Sequence, residues 1–290
     1  MTEQNHQRDH GRLIVQGADQ PGIVASVSRV LAEQGANIVA LDQSSSDPEG
    51  GRFFQRTVFH LQDLSARFDE LNESLKVKLG EELGLAFRLV EAKRHKRVAI
   101  LVSRTDHCLL DLLWRQRRGE LSMTVPMVVS NHAELGEEVR RFDIPYFHVP
   151  VDKEKKAAAE KEQLNLLKGN VDLLILARYM QILSGDFLEE LGVPVINIHH
   201  SFLPAFMGAG PYQRAKERGV KLIGATAHYV TEDLDEGPII EQDVIRVSHR
   251  ESAQDLQRKG ADVERTVLSR AVAWHCDDRV IRDGNTTVVF

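Results

Sequence analysis

Three residues of this 290-residue chain combine side-chain types and spacing suited to acyl chemistry: Asn197, His199 and Asp235. Asn197 and His199 stand at i and i+2 in the run VPVINIHHSFLP, which reads as a buried strand. They therefore share one face, while His200 points the other way. Ligands of open α/β sheets sit beyond the carboxyl ends of the strands, where this run delivers its polar side chains. An amide N–H stabilises a developing oxyanion, and an imidazole moves a proton near neutral pH. Asp235 lies in the acidic loop 232–237, two residues before Gly237, where a carboxylate would orient His199 or activate water. By itself Asn-x-His on a strand leaves a purely structural histidine open. His199 and His200 are not expected to share a metal ion, because strand neighbours point apart.

Other reactive types have plainer readings. Cys108 follows His107 at a helix start, but a nucleophilic thiolate needs exposure and an activating base, so a structural cysteine is expected. His228 lies in a β pattern and reads as packing or pocket lining. Trp114 and Trp274 fall on apolar helical stripes and are expected in the core. With only two cysteines, a disulfide framework and a four-cysteine zinc site are both ruled out. Lys and Arg number 37 against 43 Asp and Glu, a net charge of −6 that gives no support to nucleic-acid or membrane-surface binding. The start MTEQNHQRDHGR lacks an apolar core for a secretory signal, and no apolar run is long enough for a membrane span. A soluble, cytoplasmic protein is the expectation.

Two blocks of elements must position these residues. Residues 12–18 read as a strand that ends in the turn Asp19-Gln20-Pro21-Gly22. Ile23, Val24, Val27, Val30 and Leu31 then form the stripe of an amphipathic helix. Strands at 37–46 and 53–61, a helix at 65–83 and a strand in LAFRLVE complete the order βαββαβ, a ferredoxin-like sandwich. From Val98 onward, continuous apolar strands alternate with amphipathic helices, the pattern of a parallel sheet covered on both faces, hence a Rossmann-like α/β domain. Near its end, IGATAHYVT and GPIIEQDVIRV read as an antiparallel pair. A long helix through Leu256, Val263, Val267, Ala271 and Trp274 follows, then a short hairpin around Asp-Gly-Asn. The expected division is a first domain at 1–90, a basic linker at 91–97 and a second domain at 98–290.

The run from Val195 to Val247 resembles the folate-dependent formyltransferases. Asn-Ile-His, Ser-x-Leu-Pro, Gly-x-Thr-x-His and Asp-x-Gly before a strand occur here in that family's order. ARYMQILSGDF resembles the family's folate-contacting segment. That implies substrate contacts at Arg178, Tyr179, Met180 and Ile182, with Asp233 and Gly237 added from the later loop. Arg178 could instead merely cover sheet surface with its stem. Nucleotide-using members carry a glycine-rich phosphate loop after the first strand, whereas this chain reads Ser103-Arg104-Thr105-Asp106-His107-Cys108 there. That stretch, the His-His pair and Pro-Ala-Phe-x-Gly-Ala resemble the hydrolytic branch, the formyltetrahydrofolate deformylases.

Gly-x-Asp-x-Pro-Gly-Ile in the first block resembles an ACT domain, a regulatory module for small ligands. The resemblance implies a candidate effector site at Asp19, Pro21, Gly22 and Asn37, with glycine or methionine as the amino acids to try. A plain helix-entry turn is the alternative at 19–22. The resemblance further implies hydrolysis of 10-formyltetrahydrofolate to formate and tetrahydrofolate, in support of purine biosynthesis. Asn197, His199 and Asp235 are then catalytic, with no metal or other cofactor, in a homo-oligomeric dimer or tetramer. The rival readings are transfer of the formyl group to an amine acceptor and a non-catalytic amino-acid sensor.

Overall fold

The computed structural model describes residues 9–47, 49–204 and 210–290, without the side chains of Lys153 and Pro211. The chain divides into two units. The first holds the strands β1 (His10–Ala18), β2 (Asn37–Ser45), β3 (Arg52–His60) and β4 (Ala86–Glu91) and the helices α1 (Ile23–Glu33) and α2 (Leu64–Leu75). The strands form one antiparallel sheet in the order β2-β3-β1-β4, the βαββαβ arrangement expected from the sequence. Alternation along β1 explains the packing. Leu13 and Val15 enter one core with Ile23, Val27 and Leu31 of α1 and Leu71 and Leu75 of α2. The expected helix at 65–83 is α-helical only to Leu75, and one π-helical stretch (Lys76–Glu81) carries Leu79 into the same core.

The other face of β1 corrects the expected boundary. Ile14 packs with Phe54, Ile281, Val288 and Phe290. Arg12 is buried and binds Asp278 (Nη1 to Oδ2, 3.2 Å) and Asp277 (3.1 Å), and Arg88 binds Asp278 at 2.7 Å. Asp277–Ile281 and Val288–Phe290 therefore belong to the first unit, not to a second domain running unbroken to 290. The physical reason is that both faces of β1 are apolar or charged and need cover. The linker is also shorter than expected, because Lys96 and Arg97 already open the next strand.

In the second unit, β5 (Lys96–Val102), β7 (Val128–Ser130), β8 (Tyr146–His148), β9 (Leu173–Ala177) and β10 (Val195–His199) are parallel. β11 (Leu222–Tyr229) and β12 (Ile239–Arg246) add antiparallel, giving the order β12-β11-β10-β9-β5-β7-β8. The short β6 (Met123–Thr124) pairs with β5. The expected strand at 123–130 is interrupted at Val125-Pro126, because proline has no N–H for the ladder. The helices are α3 (His107–Arg117), α4 (Gly136–Arg140), α5 (Lys156–Leu167), α6 (Gly185–Leu191), α7 (Pro211–Arg218) and α8 (Ala253–Cys276). β9 throughout and β5 from Val98 onward are buried, as parallel strands covered on both faces must be. Trp114 departs from expectation: it is 54% exposed, because Cys108, Leu109, Leu112 and Leu113 take the buried stripe of α3. Trp274 is half-buried. A hairpin of β13 (Val280–Asp283) and β14 (Thr286–Val289) ends the chain, and no helix among the described residues is long and apolar enough to cross a membrane.

Candidate active site

β10 ends at His199, so Asn197 and His199 reach the carboxyl end of the parallel strands on one face. Both border a cavity of about 760 Å³. The antiparallel register sets Asn197 of β10 opposite His228 of β11, and their side chains meet, Nδ2 to Nε2, at 3.2 Å. His228 Nδ1 lies 2.9 Å from the Tyr229 carbonyl oxygen, which can only accept. The proton of neutral His228 is thus on Nδ1, and Nε2 accepts one N–H of Asn197. Among the described residues nothing accepts the second N–H of that amide, and Asn197 borders the cavity. Burial pushes the His228 pKa down, which keeps the ring neutral and able to accept.

Asp235 completes the group. Its Oδ2 lies 3.2 Å from His199 Nδ1 and its Oδ1 3.7 Å from His228 Nε2. The hydrogen bond to His199 holds the Asp235 carboxyl below its ordinary range against the opposing effect of burial. A carboxylate can only accept, so His199 Nδ1 carries a proton, and in the neutral ring Nε2 holds a lone pair. That Nε2 is buried and has no hydrogen-bond partner among the described residues. The loop conformation behind this is unusual: Asp235 sits at φ 59. Gly237 explains how the loop returns to β11, since a Cβ there would lie 1.8 Å from the Tyr229 carbonyl oxygen. Gly237 is expected to touch substrate, but it does not line the cavity; it admits the close backbone approach that sets Asp235 over His199.

His200 also corrects the sequence reading. Strand alternation aims it away from His199, but β10 stops at His199 and the chain bends. The two rings stack at 5.0 Å, and both border the cavity. Burial, then the nearby Arg178 and His199, push the His200 pKa down to about 4, so this ring is neutral where His199 would work.

The expected folate segment borders the same cavity, with each side chain differently engaged. Met180 and Ile182 are each 60% exposed at its mouth, and Met180 N donates to Ser103 Oγ at 3.0 Å. Tyr179 is buried, and its hydroxyl accepts from Gln163 Nε2 at 2.8 Å, which ties it to α5. Arg178 adopts φ 62 and lies inward, its Nε 3.5 Å from Glu264 Oε2, so it does not merely cover sheet surface. Asp233 lines the acidic side. Residues 205–209, which carry most of the Pro-Ala-Phe-x-Gly-Ala motif, lie outside the described residues.

Several contributors escaped sequence reasoning. His228 was visible within Gly-x-Thr-x-His, but only the register shows that it grips Asn197. Glu264 had no local signal, being one carboxylate on a long helix. Buried there, it receives His107 Nε2 at 2.8 Å and the Tyr212 hydroxyl at 2.6 Å. His107, Cys108 and Glu264 bring potential metal-ligand atoms within 4.8 Å of one another. Both Glu264 oxygens already take strong donors, and burial, with Glu264 next, pushes the Cys108 thiol well up; this donor set suits a hydrogen-bonded cluster better than a cation. Cys108 is fully buried, as a structural cysteine should be.

In the first unit, Asp19 binds Ser45 Oγ, and its backbone N–H donates to the Gly51 carbonyl oxygen at 2.9 Å. Gly22 caps α1 at φ 93, and Pro21 and Gly22 are exposed. Asn37, grouped with this turn by expectation, is not beside it within one chain. β2 meets Asp19 through Ser45 at one end, while Asn37 pairs with His60 at the other, ~26 Å away at a strand rise of ~3.3 Å per residue. α1 carries the chain back along β1 before β2 starts, which is what separates them.

Comparison with known proteins agrees with both units. The formyl transferase family matches residues 96–272, and the ACT domain family matches residues 11–75. A formyltetrahydrofolate deformylase of Mycobacterium bovis is 61% identical, over 97% of this chain and 91% of that protein. The crystal structure of a formyltetrahydrofolate deformylase from Pseudomonas syringae pv. tomato superposes with a TM-score of 0.92 at 46% identity, covering 97% of this chain and 94% of that one. Glycinamide ribonucleotide transformylase 1 from Symbiobacterium toebii matches only 68% of this chain and 94% of its own, with a TM-score of 0.62 at 31% identity.

Proposed function

Because the chain belongs to the formyltetrahydrofolate deformylase family, an ACT domain joined to a formyltransferase-fold domain, we propose that it hydrolyses 10-formyltetrahydrofolate to formate and tetrahydrofolate. The observation that carries the mechanism is His199: Nδ1 is held by Asp235, and Nε2 is buried, without a partner among the described residues, in a cavity wall shared with Asn197. Water adds to the formyl carbon while His199 Nε2 takes its proton. The carbonyl oxygen becomes an oxyanion and receives the Asn197 N–H that His228 does not use. Asp235 stabilises the imidazolium as it forms. The C–N10 bond then breaks, and His199 returns the proton to N10, an aniline-like nitrogen that leaves readily once protonated. The oxyanion collapses to formic acid, which loses its proton to solvent as formate; atoms and charge balance with no further reagent, so the reading calls for no metal or redox cofactor.

Folate would lie across Met180 and Ile182, with Arg178 and Asp233 facing its polar groups. We assign the product formate to one-carbon supply for purine biosynthesis in the cytoplasm, and two buried cysteines that form no disulfide fit a reducing compartment. The ACT domain is proposed to bind glycine or methionine at Asp19, Pro21 and Gly22. In a homo-oligomer, Asn37 could face that turn only from another chain, and the exposed edge strand β2 is suited to pairing between chains.

The deciding experiment measures formate release from 10-formyltetrahydrofolate by the full chain without an acceptor amine, before and after chelation and dialysis. Stoichiometric formate and tetrahydrofolate in both conditions is the expected result. Turnover that requires an added amine would replace hydrolysis with transfer, and activity restored only by zinc would overturn the metal-free mechanism.

A further inference from the structure

α8 presents Gly260 and Glu264 at i and i+4, hence on one face. Glycine is a poor helix former, and here its missing side chain is occupied space. A Cβ at 260 would lie 2.0 Å from the Tyr212 hydroxyl oxygen and 2.4 Å from the ring carbon bearing it. One turn on, Glu264 Oε1 accepts the Tyr212 hydroxyl at 2.6 Å. The helix thus supplies both a notch for the ring and an acceptor for its O–H. The same carboxylate receives His107 from α3 and faces Arg178 from the loop after β9. Burial alone would raise the Glu264 pKa, but His107, Arg178 and Tyr212 hold it down and keep the acceptor charged. On its other side the Tyr212 ring lies 6.2 Å from His200, which stacks on His199.

We propose that Gly260 and Glu264 form a seat for Tyr212, and that the seated ring braces His200 and, through it, His199 in its working orientation. Tyr212 and Glu264 are then positioning residues that act through His200, and the glycine is retained in the helix for the ring it admits. The proposal rests on the hydrolytic reading of the cavity for its kinetic test only.

The test uses three variants of the full chain. Gly260→Ala puts a methyl group where the ring sits, Glu264→Gln removes the charge with little change of shape, and Tyr212→Phe keeps the ring and removes the hydroxyl. Misplacing a catalytic group by a fraction of an ångström should lower kcat about tenfold in Gly260→Ala and Glu264→Gln and about threefold in Tyr212→Phe, with KM for 10-formyltetrahydrofolate within about twofold. Gly260→Ala added to Tyr212→Ala should cost nothing more, since the ring it displaces is gone. Histidine ring NMR signals of the substrate-free protein, assigned with His199→Gln and His200→Gln, should shift in all three single variants. Unchanged kcat, or a loss carried by KM instead, overturns the proposal. Should the wild-type chain release no formate, the hydrolytic reading falls, and the ring signals still judge the seat: unmoved His199 and His200 signals overturn it. Should Gly260→Ala fail to fold, Tyr212→Phe and Glu264→Gln decide by the same criteria.

Discussion

The two units use buried polar groups in opposite ways. In the first, Arg12 and the half-exposed Arg88 are balanced by Asp277 and Asp278, and each charge has its partner. In the second, Asn197, His199, His228 and Asp235 satisfy one another only in part, and among the described residues nothing pairs with His199 Nε2. A fully paired cluster serves structure, and a cluster with one atom to spare can do chemistry. The difference predicts that substitutions in the two clusters will separate stability from turnover.

The largest effect is expected in the unfinished cluster. Asn197→Ala should lower kcat by ~10²–10³-fold, with folate KM little changed, because its free N–H matters most when the oxyanion forms. Steady-state kinetics checks this, and wild-type turnover would remove Asn197 from the mechanism. His199→Ala and Asp235→Asn should each be severe but far from multiplicative together, since one holds the other. Losses that multiply would break the coupling read from their 3.2 Å contact.

The finished cluster should answer in stability instead. Arg12→Met strands much of the charge of buried Asp278 and should cost about 3 kcal/mol in denaturant unfolding, with Arg88 limiting the loss and kcat unchanged. A drop in kcat with an unaltered melting temperature would erase the contrast. The same cluster makes truncation at residue 92 a poor experiment, because it would orphan Asp278 and Ile281. A deletion aimed at the first unit should remove 277–290 as well.

Acid should separate the clusters more gently. The His200 pKa lies at about 4 and that of His228 is also lowered, against an ordinary value of 6.5. The unfolded chain therefore binds protons that the folded chain refuses. The stability held by these neutral rings is complete above pH 6.5 and falls as the pH drops toward about 4. Melting temperatures between pH 7 and 4.5 should decline less steeply in His200→Asn than in the wild type, and parallel curves would refute the linkage. The smallest effect is expected at the exposed turn of the first unit. Asp19→Ala should weaken any change in turnover caused by added glycine or methionine, and an undiminished response would move the effector site elsewhere.

Asn197 and His199 were legible as a pair because two-residue alternation puts them on one face whatever the rest of the chain does. Asp235 was legible as a carboxylate just ahead of Gly237, although only the φ of 59 and the glycine approach to Tyr229 explain its placement. The βαββαβ order and the switch to parallel strands were likewise local, carried by apolar periodicity over a few residues at a time. His200 was misread because alternation holds only while the strand lasts, and the strand ends one residue earlier.

What the chain determined by itself was thus whatever depends on neighbours in sequence: the element order, the shared face of Asn197 and His199, and the turn at 19–22. Tertiary structure alone decided the rest. It set His228 against Asn197 by strand register, brought Glu264 to Tyr212 across 52 positions, returned the last residues to the first sheet, and parted Asn37 from Asp19. Periodicity is a property of one segment's backbone geometry. Pairing between distant segments depends on which buried faces and charges must be covered, and no single segment records that.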